Sequence, residues 1–434
     1  MLMNKPLSEN HPRTAQESSS SHNDNLNSRL LAWIAAAVAA FHIWANTFGD
    51  LSDLWRNALH LSLLGFLGFI LYPGVKRTKP HKALVIINLT LALAILSTSA
   101  YLILFENALH DRNEVPVLAD LIFAGIAVIL AIELARRTSG YVIPILALVF
   151  LSYVLWWGSH IEGIFSFRGM NLSRVLYRMF FTDEGLFGMI ATISSTYVFL
   201  FILFAAFLLK SGGGDFIIKL SRTLTRRIAG GPGIVAVLAS GLMGTISGSA
   251  VANTVSTGSI TIPMMKKAGF NPRFAAAVET ASSTGGQLMP PIMGAGAFIM
   301  AQWTQIPYAT IIGVALLPAI LYFASVGFYV ILEARRMGIQ ETPSQAVESE
   351  SLAKTFKEGI PLVIPIILLV VMLASGFTPT YTAGFAILAV VVSSWFSKSK
   401  RMGLKDIVDA LATGTLNMIP TGILLITAGI IIGT

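Results

Sequence analysis

Long apolar runs separated by short polar loops dominate the chain, and each run is close to one bilayer thickness. Runs at about 29–48, 56–74, 83–105, 117–135, 140–157 and 184–209 approach the roughly 20 residues that a spanning helix needs. The loops between them alternate in charge. Lys76, Arg77, Lys79 and Lys82 follow the second run, Arg136 and Arg137 the fourth, and Lys210, Lys219, Arg222, Arg226 and Arg227 the sixth. The other loops carry Asp50 and Asp53, then Glu106, Asp111 and Glu114. Basic loops are retained on the cytoplasmic side, so the alternation puts the N-terminus in the cytoplasm.

Beyond residue 209 the pattern becomes irregular. Residues 213–229 interleave Phe216, Ile217, Ile218, Leu220 and Leu224 with Lys and Arg, as an amphipathic helix on the inner surface would. Two apolar arms follow, at about 232–245 and 255–268, around a run of small and hydroxyl residues. An arm of that length reaches only about 21 Å, against a hydrocarbon core of about 30 Å. With basic residues before and after the pair, the arms predict a re-entrant hairpin at about 231–268. The next apolar segment, 272–302, is interrupted at Gly285-Gly286 and Pro290-Pro291. Proline removes a backbone donor and clashes with the preceding turn, which predicts a discontinuous helix. Spans at 308–332, 358–375 and 379–397 come next, divided by a polar cytoplasmic linker at 334–357. The stretch 404–434 reads as a surface helix leading into a further span, and as the start of an inverted second copy of the 184–333 pattern.

Composition agrees with an all-α integral membrane protein, a multi-span helical bundle. Only 12% of the 434 residues are charged, 54% are hydrophobic, and the mean hydropathy is +0.72; soluble domains carry about 25% charged residues. The net charge of +8 reflects basic loops between spans, not a nucleic-acid surface. The absence of cysteine rules out thiol chemistry. Residues 1–28 are polar, with serine at 18–21, lack the layout of a signal peptide, and read as a disordered cytoplasmic tail. The chain stops at Gly433-Thr434 inside an apolar run, as a piece of a longer protein would.

The two irregular stretches carry the candidate chemistry. Irregular backbone at membrane depth is tolerated only where it is buried in protein or lines a watery cavity, and paired broken helices mark the ion and substrate sites of secondary transporters. At the hairpin tip, Ser247, Gly248, Ser249, Asn253 and Thr254 combine flexible backbone with uncharged oxygens suited to Na⁺. In the second break Gly285, Gly286, Gln287 and the carbonyls before Pro290 are candidates. Ser247, Ser249, Asn253 and Gly285 are the Na⁺ candidates. Helix N-termini beginning after each break suit an anionic substrate. Small residues also serve simple helix packing, the reading that fits an isolated residue such as Ser240. Glu279, inside the 272–302 segment, fits three roles: cation ligand, proton site, or partner of Arg273 or Lys267. An intramembrane serine hydrolase using Ser247 or Ser249 would need a base on a facing helix, and no intramembrane histidine is well placed. An ion channel is a further alternative.

The runs Ser-Gly-Ser-Ala-Val-Ala-Asn-Thr-Val-Ser-Thr-Gly-Ser-Ile-Thr-Ile-Pro-Met-Met-Lys-Lys-Ala-Gly-Phe (247–270) and Ala-Ala-Ala-Val-Glu-Thr-Ala-Ser-Ser-Thr-Gly-Gly-Gln-Leu-Met-Pro-Pro-Ile-Met-Gly-Ala (275–295) resemble the large permease subunit of tripartite ATP-independent periplasmic (TRAP) transporters. The likeness is strongest to the fused type that works with TAXI-class receptors. It implies an elevator-type, Na⁺-coupled importer of small organic anions such as carboxylates in the bacterial inner membrane, loaded by a periplasmic substrate-binding protein. By this resemblance 29–139 is a four-span scaffold like the small subunit, 140–183 a connecting span and periplasmic loop, 184–333 the first half of the transport region, and 358–434 an incomplete second half. A fused scaffold makes a monomer sufficient.

Overall fold

The computed structural model describes residues 15–75, 82–225, 228, 230–339, 352–397 and 400–434. Among these residues all regular structure is helical. The first four helices are α1 (Ala15–Thr47), α2 (Asp53–Leu71), α3 (Lys82–Asp111) and α4 (Leu118–Ser139). Then come α5 (Val142–Ser152), which runs into a π turn at Tyr153–Trp157, and the short helix α6 (Leu172–Phe181). Helix α7 (Met189–Ile193) joins α8 (Phe199–Lys210) through a second π turn, and α9 (Gly213–Thr225) follows. Next are α10 (Gly231–Ser247), α11 (Ala250–Lys267), α12 (Pro272–Gly285), α13 (Ala295–Thr304) and α14 (Tyr308–Arg336). The chain closes with α15 (Leu352–Ala374), α16 (Pro379–Ser394) and α17 (Leu404–Gly433). Nine helical segments among the described residues are long and apolar enough to cross a membrane, while α10 and α16 are apolar but shorter. The protein is a multi-pass, all-helical membrane protein.

Several polar groups that enter the apolar layers are tightly paired, as low-dielectric surroundings favour. Asp120, at the start of α4, is fully buried. It accepts from Arg112 (2.8 Å), Tyr101 (2.6 Å) and the Val117 amide (2.7 Å). His42 on α1 and His60 on α2 are 2.8 Å apart through Nε2 and Nδ1, and His60 Nε2 lies 2.9 Å from Ser194 Oγ in the second π turn. Asn57 donates to Phe187 O and Thr192 Oγ1 and accepts from Ser195 Oγ. Together these bonds fasten α2 to the α7–α8 segment.

Three expectations change. The tail expected to be disordered over 1–28 is helical from Ala15, because once the span at Arg29–Thr47 has nucleated, each added residue needs only propagation; residues 1–14 lie outside the described residues, as do 340–351 of the expected linker. The stretch 404–434 is one continuous helix, and α17 is no surface element. It runs among α1, α2, α4, α5 and α8, with Met418, Ile419, Ile423 and Ile426 fully buried. Its glycines explain why: Gly414 abuts Leu203, Gly422 abuts Leu64, and Gly429 and Gly433 abut the backbone at 184–186. Small residues let backbones approach closely in a bundle. Finally, the core does not divide at residue 184. Buried residues of α7, α8, α16 and α17 join those of α1–α5 in one cluster. A second cluster (Ile234, Val237, Met265, Phe270, Ala275, Val278 and Val330 among them) belongs to α10, α11, α12 and α14 with the turn after α11.

Candidate functional site

Helices α10 and α11 form a hairpin because Gly248 takes the left-handed conformation, with φ of 61°, which a glycine adopts without steric penalty. The Gly248 amide closes α10 on Gly244 O at 3.1 Å, and Ser249 Oγ caps α11 by accepting from the Ala252 amide. Helix α12 ends at Gly285, passes through one 3₁₀ turn at Gly286–Leu288, and the chain then runs irregularly to α13. The Pro290–Pro291 peptide is cis. Gln287 O accepts from the Gly294 amide at 2.8 Å, and the Tyr308 hydroxyl donates to the loop carbonyls of Pro291 (3.0 Å) and Ile292.

The two breaks meet. A Cβ on Gly248 would fall 2.8 Å from Met293 O, and Gln287 Nε2 approaches Gly248 O at 3.5 Å. Below the tip, Gly244 lies so close to Gly286 that a Cβ on the former would sit 2.3 Å from the latter's Cα. A cavity of about 130 Å³ lies at this junction. Ser247, Gly248, Ser249 and Gln287 line it, with Ile292, Met293, Ala295 and Phe298 from the second break and α13, Phe201 from α8 and Thr421 from α17. The start of α11, the start of α13 and the end of α10 thus all reach one space, presenting free N–H groups and free carbonyls together.

The remaining candidates lie elsewhere. Gly285 is buried against the Tyr322 ring, Gly286 is occupied by its contact with Gly244, and Pro290 does not line the cavity. Thr254 Oγ1 donates back to Ala250 O within α11. Asn253 is buried, donates to Ser240 O at 2.7 Å, and leaves its Oδ1 without a hydrogen-bond partner. Glu279 is fully buried and makes no ion pair with Arg273 or Lys267. Hydroxyls surround it instead: Ser240 at 2.6 Å, Thr257 at 2.5 Å and Ser283 at 3.0 Å on Oε1, and Thr261 on Oε2. Lys267 in the last turn of α11 and Arg273 in the first turn of α12 are exposed, whereas Glu279 is buried. Met293, Tyr308 and Thr421 escaped the sequence reading, and no motif marks them. The pair His42–His60 did carry a signal, two ionisable groups inside apolar runs, which is a functional flag by default.

A bundle of spanning helices in which a helical hairpin and a broken helix meet around a cavity defines a membrane permease. Residues 126–434 match the family model of the tripartite ATP-independent periplasmic transporter, DctM component. The chain belongs to that family of transporters, and is not an enzyme. It is 30% identical over 227 residues to the uncharacterized protein y4mL of Sinorhizobium fredii, covering 51% of this chain and 54% of that one. It is 30% identical over 186 residues (43% of each chain) to the C4-dicarboxylate TRAP transporter large permease protein DctM of Pseudomonas aeruginosa. Against the ectoine/5-hydroxyectoine TRAP transporter large permease protein UehC of Ruegeria pomeroyi the identity is 27% over 223 residues, 51% of each. The chain spans about half the length of the curated relatives it matches.

Proposed function

We propose that this chain is the permease part of a Na⁺-coupled importer of small organic anions in the bacterial inner membrane, served by a periplasmic substrate-binding protein of the TAXI type. The observation that carries the proposal is the meeting of the two backbone breaks around one cavity. Free carbonyls at the end of α10 and the hydroxyls of Ser247 and Ser249 are hard, uncharged oxygens of the kind Na⁺ takes. Asn253 Oδ1, buried and unpartnered, and the carbonyl of Gly285 are the remaining candidate ligands, and they belong to the helices behind the cavity, not to its lining. The N-termini of α11 and α13 offer positive dipole ends to a carboxylate. Relatives named for C4-dicarboxylates and 2,3-diketo-L-gulonate support an anionic carboxylate, and the one named for ectoine, a zwitterion, supports the carboxylate but not the net charge.

The TAXI assignment draws support from helix order: α1 to α3 and the start of α4 precede the family match at residue 126, as a fused small subunit would. An elevator movement draws what support it has from the second cluster of α10, α11, α12 and α14, although Ala239, Met243 and Ile246 of α10 and Tyr308 and Ile311 of α14 pack into the main cluster as well. The N-terminus faces the cytoplasm by the charge of the loops. The test is uptake of labelled dicarboxylate into proteoliposomes holding the permease and its purified receptor. Uptake should need an inward Na⁺ gradient, and Ser249→Ala and Asn253→Ala should raise the Na⁺ concentration for half-maximal rate. Rates indifferent to Na⁺ would remove the coupling.

A further inference from the structure

The Glu279 cluster lies apart from the cavity, and its chemistry differs. Three helices converge on this one carboxyl: α10 through Ser240, α11 through Thr257 and Thr261, and α12 through Glu279 and Ser283. A buried carboxylate is costly unless hydrogen-bond donors, a countercharge or a proton offset its charge, and hydroxyl donors alone offset it only in part. No countercharge faces it from the elements around it. Helix α10 contains no charged residue. On α11 the cations are Lys266 and Lys267, beyond Thr261 in the last turn, and on α12 the cation is Arg273 in the first turn. From α14, packed on α12, the facing titratable group is Tyr322, whose hydroxyl is committed to Ala281 O at 2.9 Å. The charged residues of α14, Glu333, Arg335 and Arg336, lie at its far end.

Space decides which cation can serve. The group is fully buried, and a Cβ on Gly258 would already come within 3.0 Å of Glu279 Cγ. None of the cluster's residues lines the cavity at the tip. A proton is the cation that needs no room. The hydroxyls also supply a place for it: Thr261 Oγ1, in contact with Oε2, lies 3.0 Å from Thr257 O. A proton on Oε2 can therefore donate to Thr261, which donates in turn to the Thr257 carbonyl, while Oε1 accepts from Ser240 and Ser283.

We propose that Glu279 is a proton-binding site that locks the α10–α11 hairpin onto α12. With the proton present, the three helices share a closed hydrogen-bond network. Without it, a bare negative charge sits at their junction and favours their separation, so that opening of the unit and release of the proton are linked. This goes beyond Na⁺ at the tip, to which the cluster is joined through Asn253, which donates to Ser240 O and accepts from Thr257 Oγ1.

The test is infrared spectroscopy of the purified chain in lipid nanodiscs at neutral pH, as the difference between wild type and Glu279→Gln. A carboxylic-acid C=O band present in the wild type and lost in the variant is the expected result. Change confined to carboxylate bands would overturn the proposal, because the group would then be ionised. Thr261→Val provides a second readout that leaves Glu279 in place. It should move the same band to higher frequency through loss of the hydrogen bond, and an unmoved band would also overturn the proposal. Neither measurement requires transport, so failure here leaves the uptake test untouched.

Discussion

Gly244→Ala tests the contact on which the whole site rests. The added methyl would lie 2.3 Å from Gly286 Cα and 3.0 Å from its carbonyl carbon. Non-bonded carbons rest about 3.5–4.0 Å apart, so α10 and the end of α12 must separate by ~1.2–1.7 Å. The obstructing atoms are backbone, which cannot rotate out of the way as a side chain could. Overpacking in a well-filled interior costs roughly 1–3 kcal/mol, and the upper end applies here. Gly296→Ala on α13 and Gly313→Ala on α14 are the controls, since nothing lies within 4 Å of either new methyl. Replacing glycine inside a helix gains about 0.5–1 kcal/mol. Thermal unfolding of detergent-solubilised protein should therefore rank the controls at or above wild type and Gly244→Ala clearly below. Uptake should fall with it, because the shift pulls the hairpin tip from Met293 and Gln287. If Gly244→Ala melted together with the controls, the close approach of the two breaks would be wrong.

The Gly286→Ala change meets the same contact from the other side, 2.5 Å from Gly244 Cα, and should cost a similar amount by the same melt. His60→Phe keeps the volume near Phe199 but strands His42 Nε2 and Ser194 Oγ; a loss of about 1–2 kcal/mol is expected from buried groups left unpaired, read by thermal unfolding, and no loss would argue against a fastened α2. Phe204→Ala empties a fully buried site in the main cluster and should cost roughly 3–5 kcal/mol, measured by denaturant titration. Asp120→Ala removes the shared acceptor of Arg112, Tyr101 and the Val117 amide; about 1–3 kcal/mol should be lost, and hydrogen exchange at the α3–α4 turn should accelerate.

What the sequence determined by itself was the set of elements that depend on neighbours along the chain. Apolar runs of membrane length gave the spans, because the bilayer acts on each helix separately. Gly248 beside two serines gave the hairpin bend, and Pro290-Pro291 gave the interruption after α12, because each is a local backbone restriction. Tertiary structure decided which of these features touch. Of the candidate residues, Ser247, Gly248, Ser249 and Gln287 came to one cavity, whereas Thr254 turned back on its own helix and Glu279 joined a different junction. A helical periodicity shared by packing and binding residues cannot separate those outcomes. The same holds for α17: its glycines read equally well as flexibility or as contact, and only its neighbours Leu203, Leu64 and Gly185 made it central. His42 and His60 stand in apolar runs yet escaped the sequence reading, because their pairing needed two helices to be set side by side, a distance relation that no single stretch of sequence encodes.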